Sequence, residues 1–137
     1  MSTSKVNYQG SLRTSAVHLQ SSNEIITDAP TDNQGKGEAF SPTDLLATSL
    51  ASCMLTIIGI KAAEMNIDIT GTTAEVTKVM AVDPRRVSEI HVAMSFLQKL
   101  DKKTQTIFYN TALTCPVARS LHPDIVQNVT FTYTDES

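Results

Sequence analysis

The chain is poor in several residue types, and each shortage excludes a class of protein. Cysteine occurs only twice in 137 residues, as Cys53 and Cys115, and their separation of 62 positions matches no zinc-binding spacing. Glycine and proline number five each and apolar residues make up 41%, which is a globular rather than a disordered composition. We therefore expect one domain over residues 1–137, long enough to bury a core and without a metal site.

Positive charge and long apolar runs are also scarce. The net charge is −3 and no basic block occurs, so we expect no nucleic-acid partner. The first ten residues, MSTSKVNYQG, lack the apolar core and cleavage pattern of a secretory signal. The longest uncharged run after Asp44 spans residues 45–60, which is shorter than the ~20 residues that a membrane span needs. These features predict a cytoplasmic protein that does not bind a membrane.

The first third of the chain has the alternating pattern of β-strands. The segment KVNYQGSLRTSAVHLQ alternates polar and apolar residues, and the Gly10–Ser11 step indicates a turn between two strands. A third short strand is predicted in NEIITDAP and ends at Pro30. The polar segment TDNQGKGEAF then predicts a loop.

A long helix is predicted from Ser41 to about Met65. Ser41 is a favourable N-cap, Pro42 suits the first helical position, and Asp44 places a carboxylate where the helix dipole stabilises it. A helix that is apolar on every side is expected to be buried on every side, which one small domain achieves with difficulty and which favours a partner subunit. The apolar residues that point in nearly every direction are Leu45, Leu46, Leu50, Met54, Leu55, Ile57 and Ile58.

The second half of the chain predicts a hairpin, two helices and a last strand. The strands DITGTTAEVTKVMAV and VSEIHVAMSFL are joined by DPRR, typical of a type I turn with Pro84 at its second position. Asp101 caps a helix that runs to about Leu113, Pro116 opens a short helix, and VQNVTFTYT is a strand. The order βββ–α–ββ–αα–β indicates an α+β fold with a mostly antiparallel sheet.

The two cysteines differ in their local surroundings. Cys115 directly precedes Pro116, so we expect it to be an N-cap whose neighbouring backbone N–H groups lower its thiol pKa. Cys53 lies about three turns into its helix and needs a cation from elsewhere to form a thiolate. On these grounds Cys115 is the better nucleophile. Packing of the two helical elements could bring the thiols together as a redox pair, and inert core thiols remain the alternative.

Arginine is the most suitable cation for a buried thiolate, because it stays charged when it is buried. Arg13 stands in the first strand region with no acidic residue within ten positions. A solvated strand charge is the alternative interpretation for Arg13, and a helix N-terminal charge is the alternative for Asp44. A serine hydrolase using His122 is disfavoured, because the sequence has no nucleophile elbow.

Two motifs together resemble the OsmC/Ohr family of osmotically inducible and organic hydroperoxide resistance proteins. The helix opening SPTDLLATSLASCML matches the family's central-helix motif, with a proline, leucines and small residues, then Ala51 and Cys53. The later LTCPVARSL matches its Cys-Pro pair at the start of a short helix, with Cys115 and Pro116. The predicted element order agrees with the family along nearly the whole chain.

The resemblance implies an intertwined homodimer with thiol peroxidase activity on organic hydroperoxides, in defence against oxidative stress. By that similarity Cys53 is the peroxidatic thiol, Cys115 the resolving thiol and Arg13 the cation, which reverses the local ranking of the cysteines. An external thiol or dithiol would reduce the disulfide, and no metal, flavin or haem cofactor is implied. An apolar entrance for the peroxide is expected around Phe40, Leu50 and Met54.

The sequence departs from the family pattern at one position. The characterised peroxidases have a glutamate directly after the helix-opening proline, where it holds the arginine, and here that residue is Thr43. Asp44, one position later, or Glu38, in the preceding loop, are the candidate replacements. The departure also supports an alternative function, in which the fold is kept as a non-catalytic dimeric stress or small-molecule-binding protein with unreactive thiols.

Overall fold

The computed structural model describes residues 1–134, and the predicted order βββ–α–ββ–αα–β is confirmed. One 3-10 turn, Thr31–Asn33, lies in the loop that was predicted to be irregular. The elements are β1 (Ser4–Gly10), β2 (Arg13–His18), β3 (Glu24–Asp28), α1 (Pro42–Glu64), β4 (Thr73–Ala81), β5 (Arg86–Phe96), α2 (Lys102–Leu113), α3 (Pro116–Ser120) and β6 (Val126–Tyr133).

The strands form two three-stranded sheets rather than one. The first sheet has the order β1-β2-β3 and is wholly antiparallel. The second has the order β4-β5-β6, in which β4 and β5 are antiparallel and β5 and β6 are parallel. The chain divides into two compact units. Residues 1–46 contain the first sheet, and the unit from Ala47 onward contains the second. The α+β class is confirmed.

The first unit is held by strand pairing and polar contacts. The predicted turn after Gly10 is present, and Ser11 and Leu12 both adopt positive φ, at 55° and 65°. Within residues 1–46, all of which the structure describes, the buried side chains are polar and include Asp28. Several apolar side chains of this sheet are exposed, namely Val6, Tyr8, Ile25 and Ile26.

Helix α1 begins at a reciprocal cap. Ser41 Oγ accepts a hydrogen bond from the backbone N–H of Asp44 at 3.0 Å, and Asp44 Oδ2 accepts one from the backbone N–H of Ser41 at 3.0 Å. These contacts satisfy two donors that would otherwise lack partners at the helix start. The predicted N-terminus is therefore confirmed, and the helix ends at Glu64, one residue before the predicted end.

The core of the second unit forms around one stripe of α1. The stripe consists of Ala47, Leu50, Ala51, Met54, Ile58 and Ala62. It packs with Ile90, Val92, Met94 and Phe96 of β5 and with Phe108 of α2. The expectation that α1 is buried on every side is wrong for a single chain, because Ile60 is 55% exposed and Leu55 and Ile57 are only partly buried.

Helix α1 also meets the length and composition requirements of a membrane span. Its most apolar 18-residue window has a mean hydropathy of 1.7. The core helix of a soluble protein passes the same test, and six residues of α1 lie in the core described above. Packing within the protein therefore accounts for the hydropathy of this helix.

The β4–β5 hairpin is confirmed. Ala81 and Arg86 are the last paired residues, so residues 82–85 connect the two strands. Asp83, the first residue of the predicted DPRR turn, has a φ of 57°. The Asp83–Pro84 peptide bond is cis.

Candidate functional site

The fold brings the two thiols together. Helix α1 carries Cys53, and the start of α3 carries Cys115. Cys53 packs against the core cluster that contains Cys115, and the two thiols are close enough for Cys53 to affect the pKa of Cys115. Both are free thiols, and both belong to the second unit. Cys53 is partly exposed, whereas Cys115 has no exposed surface. The pair therefore combines an accessible sulfur with an enclosed one.

Cys115 is the N-cap of α3, as the Cys-Pro sequence predicts. Its backbone is extended, with φ −66° and ψ 153°, and its Sγ accepts a hydrogen bond from the N–H of Ala118 at 3.4 Å. These N–H groups lower its pKa, as predicted, but the net change is in the opposite direction. Burial raises the pKa of Cys115, the Cys53 thiol adds to that effect, and the N–H groups of Val117 and Ala118 only partly oppose it. The helix start orients this thiol, while the apolar surroundings keep it protonated.

Arg13 forms a two-pronged ion pair with Asp28 in the first unit. The two residues face each other across β2 and β3, and Arg13 Nε and Nη2 donate to Asp28 Oδ1 and Oδ2 at 2.8 and 2.9 Å. Asp28 Oδ2 also accepts from the backbone N–H of Glu38 at 3.1 Å. The side chain of Asp28 is 3% exposed and that of Arg13 is 36% exposed. The arginine is thus anchored along one edge while part of it reaches the surface.

The ion pair sets the charge state of both partners. The hydrogen bond from Arg13 is the main cause that lowers the pKa of Asp28, although burial opposes it, and the N–H of Glu38 lowers it further. Asp28 in turn raises the pKa of Arg13. Both groups are therefore charged over the whole physiological pH range.

Asp28 is a residue that the sequence interpretation missed. No acidic residue lies within ten positions of Arg13 in the sequence, and Asp28 is 15 positions away. The single hairpin connection between β2 and β3 brings it opposite Arg13. The signal lay in the predicted strands themselves, because Asp28 stands near the end of the third one, before Pro30. Register arguments across the predicted strands could have found it.

The two predicted carboxylate partners of Arg13 differ in where they lie. Asp44 forms the reciprocal cap of α1 with Ser41. Glu38 is near Arg13, but its Oε1 lies 3.9 Å from Nη2 and its side chain is 61% exposed. Of these carboxylates, Asp28 makes the short contacts with the guanidinium.

The three residues predicted to line an apolar entrance differ in how deeply they are buried. Leu50 and Met54 are fully buried in the core of the second unit, so neither lines an open entrance in this single chain. Phe40 is 53% exposed, and its backbone oxygen accepts a hydrogen bond from the N–H of Asp28 at 3.1 Å. Among residues 1–134, no group of three or more His, Cys, Asp or Glu side chains is placed to hold a metal ion.

Comparison with known proteins agrees with this fold. The family model described as OsmC-like protein matches residues 35–130. The crystal structure of a candidate osmotic stress induced and detoxification response protein from Psychrobacter arcticus is 80% identical, with 96% of each chain covered and a TM-score of 0.95. No curated protein sequence matched the chain.

More distant structures share the fold. The OsmC-like protein from Mycoplasma pneumoniae is 18% identical, with 96% of each chain covered and a TM-score of 0.80. An organic hydroperoxide resistance protein from Legionella pneumophila is 15% identical, with 96% of this chain and 98% of that one covered and a TM-score of 0.72. With the family model matching well over half of its length, the chain belongs to the OsmC-like protein family.

Proposed function

We propose that this protein is a cysteine-based peroxidase that reduces organic hydroperoxides in defence against oxidative stress. The observation that carries the proposal is the proximity of a partly exposed cysteine, Cys53, to a fully buried one, Cys115, at the same core cluster. Membership of the OsmC-like family supports it, because proteins of this fold include organic hydroperoxide resistance proteins. We place the protein in the cytoplasm, where reduced thiols persist.

In the first step the Cys53 thiolate attacks the distal oxygen of the hydroperoxide. The O–O bond breaks, the alkoxide leaves and takes up a proton as the alcohol, and Cys53 becomes a sulfenic acid. Arg13 is the cation that we assign to the thiolate and to the charge that develops on the leaving oxygen. Cys53 is the better candidate for this step, because its sulfur is accessible and that of Cys115 is enclosed.

In the second step Cys115 attacks the sulfenic sulfur. An S–S bond forms, the S–O bond breaks, and water leaves with the proton of the Cys115 thiol. The enclosed position of Cys115 suits this role, because a protonated and buried thiol does not compete for peroxide but is held beside the sulfur that it must meet. An external thiol or dithiol then reduces the disulfide by thiol–disulfide exchange and is itself oxidised.

We also propose that the functional form is a homodimer. The first unit buries no hydrophobic side chain, yet its sheet exposes Val6, Tyr8 and Ile25. The outer side of α1 exposes Ile60. A three-stranded sheet without a buried apolar face has little stability of its own, and a second copy of the chain would supply the missing contacts.

The test uses reduced protein and one equivalent of cumene hydroperoxide, followed by a count of free thiols. The proposal expects the loss of two thiols per chain and the appearance of one equivalent of cumyl alcohol. Hydrogen peroxide at the same concentration should react more slowly, because the substrate class is organic. Retention of both thiols, while a known thiol peroxidase loses its own in parallel, would contradict the proposal.

A non-catalytic stress or small-molecule-binding protein is the second candidate. The observation that favours it is the ion pair, because Asp28 neutralises the charge of Arg13 that a thiolate would need. Alkylation by iodoacetamide at about pH 6 separates the two functions, since a thiolate reacts there and an ordinary thiol hardly does. Unreactive thiols under these conditions would favour the non-catalytic function.

A further inference from the structure

We infer that Asp28 is a positioning residue for the reaction, in that it holds the Arg13 guanidinium in the orientation used at the peroxidatic thiol. The inference rests on the proposed function, because it takes from that proposal the role of Arg13 beside Cys53. It concerns a residue outside the central helix, on β3, that is bonded to Arg13 directly.

The geometry of the pair fixes the guanidinium in its plane. Asp28 accepts from Nε and from Nη2, which lie on the same edge of the guanidinium, so the plane can neither rotate nor slide without breaking a bond. No residue among those described accepts a hydrogen bond from Nη1. The ion pair with Asp28 thus uses the Nε–Nη2 edge of the guanidinium and leaves Nη1 outside it.

Asp28 is itself held from three directions. Its Cα is paired with that of Arg13 across the strands, its Oδ2 accepts from the backbone N–H of Glu38, and its own N–H donates to the backbone oxygen of Phe40. Its side chain is almost wholly enclosed, which limits the access of water to its carboxylate oxygens. A carboxylate so constrained transmits a fixed orientation to Arg13, whereas Glu38, which is 3.9 Å away and largely exposed, does not.

Helix α1 has Thr43 directly after Pro42, a residue without a carboxylate. The carboxylate that orients the arginine stands on β3 in this chain, so the helix does not have to provide one. Asp28 has two opposing effects on a thiolate. It orients the cation, which strengthens the interaction, and it neutralises part of the charge, which weakens it. We expect the orientation of the cation to matter more than the partial neutralisation of its charge.

The experiment compares the wild type with Asp28→Asn, Asp28→Glu and Arg13→Ala, and with Glu24→Gln as the matched control. Glu24 lies on the same strand and accepts a side-chain hydrogen bond from Ser15 at 2.8 Å, but it does not contact Arg13. Four quantities are measured: kcat and KM for cumene hydroperoxide with an external dithiol, the rate of Cys53 alkylation at about pH 6, and the melting temperature.

For Asp28→Asn we expect kcat/KM and the alkylation rate to fall by about 10- to 100-fold, with KM changed little, because orientation and not substrate binding is lost. Asp28→Glu should recover part of the rate, and Glu24→Gln should keep it even if it lowers the melting temperature equally. An Asp28→Asn protein that is alkylated as fast as the wild type, or faster, overturns the inference whatever its stability.

The same set of proteins separates this inference from the proposed function. If the wild type turns over hydroperoxide and Arg13→Ala does not, but Asp28→Asn matches the wild type, the inference fails and the function stands. If the wild type consumes no hydroperoxide, the proposed function fails. The alkylation rates of the wild type and Asp28→Asn then still decide whether Asp28 positions Arg13, because equal rates overturn the inference.

Discussion

At the scale of single residues, the two sulfurs differ in burial more than in local sequence. The Cys-Pro pair correctly predicts that Cys115 caps α3, but it gives no information on how completely the core encloses that thiol. Burial is set by residues distant in sequence, so the sequence next to Cys115 could not predict that the pKa of its thiol is raised. The same limit explains why Asp28 was missed, since its pairing with Arg13 depends on strand register.

The Arg13–Asp28 pair predicts how stability depends on pH. The pKa of Asp28 is lower in the folded chain than its ordinary value of 3.8, so its ion pair stabilises the fold above that value. This contribution is lost as the pH falls through the folded pKa. We expect the wild type to melt higher than Asp28→Asn at about pH 7, and the gap to close as the pH falls below about 4. Melting curves across this range test the prediction, and a gap that stays constant would contradict it.

At the scale of elements, boundaries with a local chemical signal were predicted well. The start of α1 depends on Ser41, Pro42 and Asp44, and that of α2 on Asp101, whose side chain accepts from the N–H of Thr104. The positive φ of Asp83, at the start of the β4–β5 turn, was not predicted, because DPRR by itself indicates only that a turn is present.

The cap of α1 gives a prediction at this scale. Ser41→Ala removes the buried hydroxyl that accepts a hydrogen bond from the backbone N–H of Asp44. We therefore expect the free energy of unfolding to fall by about 1 kcal/mol. Ser52→Ala is the matched control, because Ser52 is exposed within the same helix and alanine has the higher helix propensity there. Urea unfolding followed by circular dichroism measures both. Equal midpoints for Ser41→Ala and the wild type would argue against the cap.

At the scale of the whole molecule, the sequence predicts the element order and class but not the division of strands between sheets. The alternation of polar and apolar residues identifies the strands in both groups, β1–β3 and β4–β6. It does not specify which strands pair with each other in a sheet. The apolar composition of α1 led to the expectation of burial on all sides. A single chain buries one stripe only, and the remainder of the helix is partly or largely exposed.

The proposed dimer predicts a solution mass of twice the 14.9 kDa of one chain. The reason is the number of large apolar side chains that a single chain leaves exposed on the first sheet and on α1, among them Tyr8 and Ile60. Sedimentation velocity at micromolar concentration measures this mass directly. A species with the mass of a single chain over the whole concentration range would contradict the dimer.

The most direct test of the account is peptide mapping by mass spectrometry after one turnover with cumene hydroperoxide and rapid blocking of free thiols. The account predicts a Cys53–Cys115 disulfide within each chain, and in a Cys115→Ser variant a sulfenic acid on Cys53 that dimedone captures. Two blocked, reduced cysteines after exposure to the peroxide, or oxidation found first on Cys115, would contradict it.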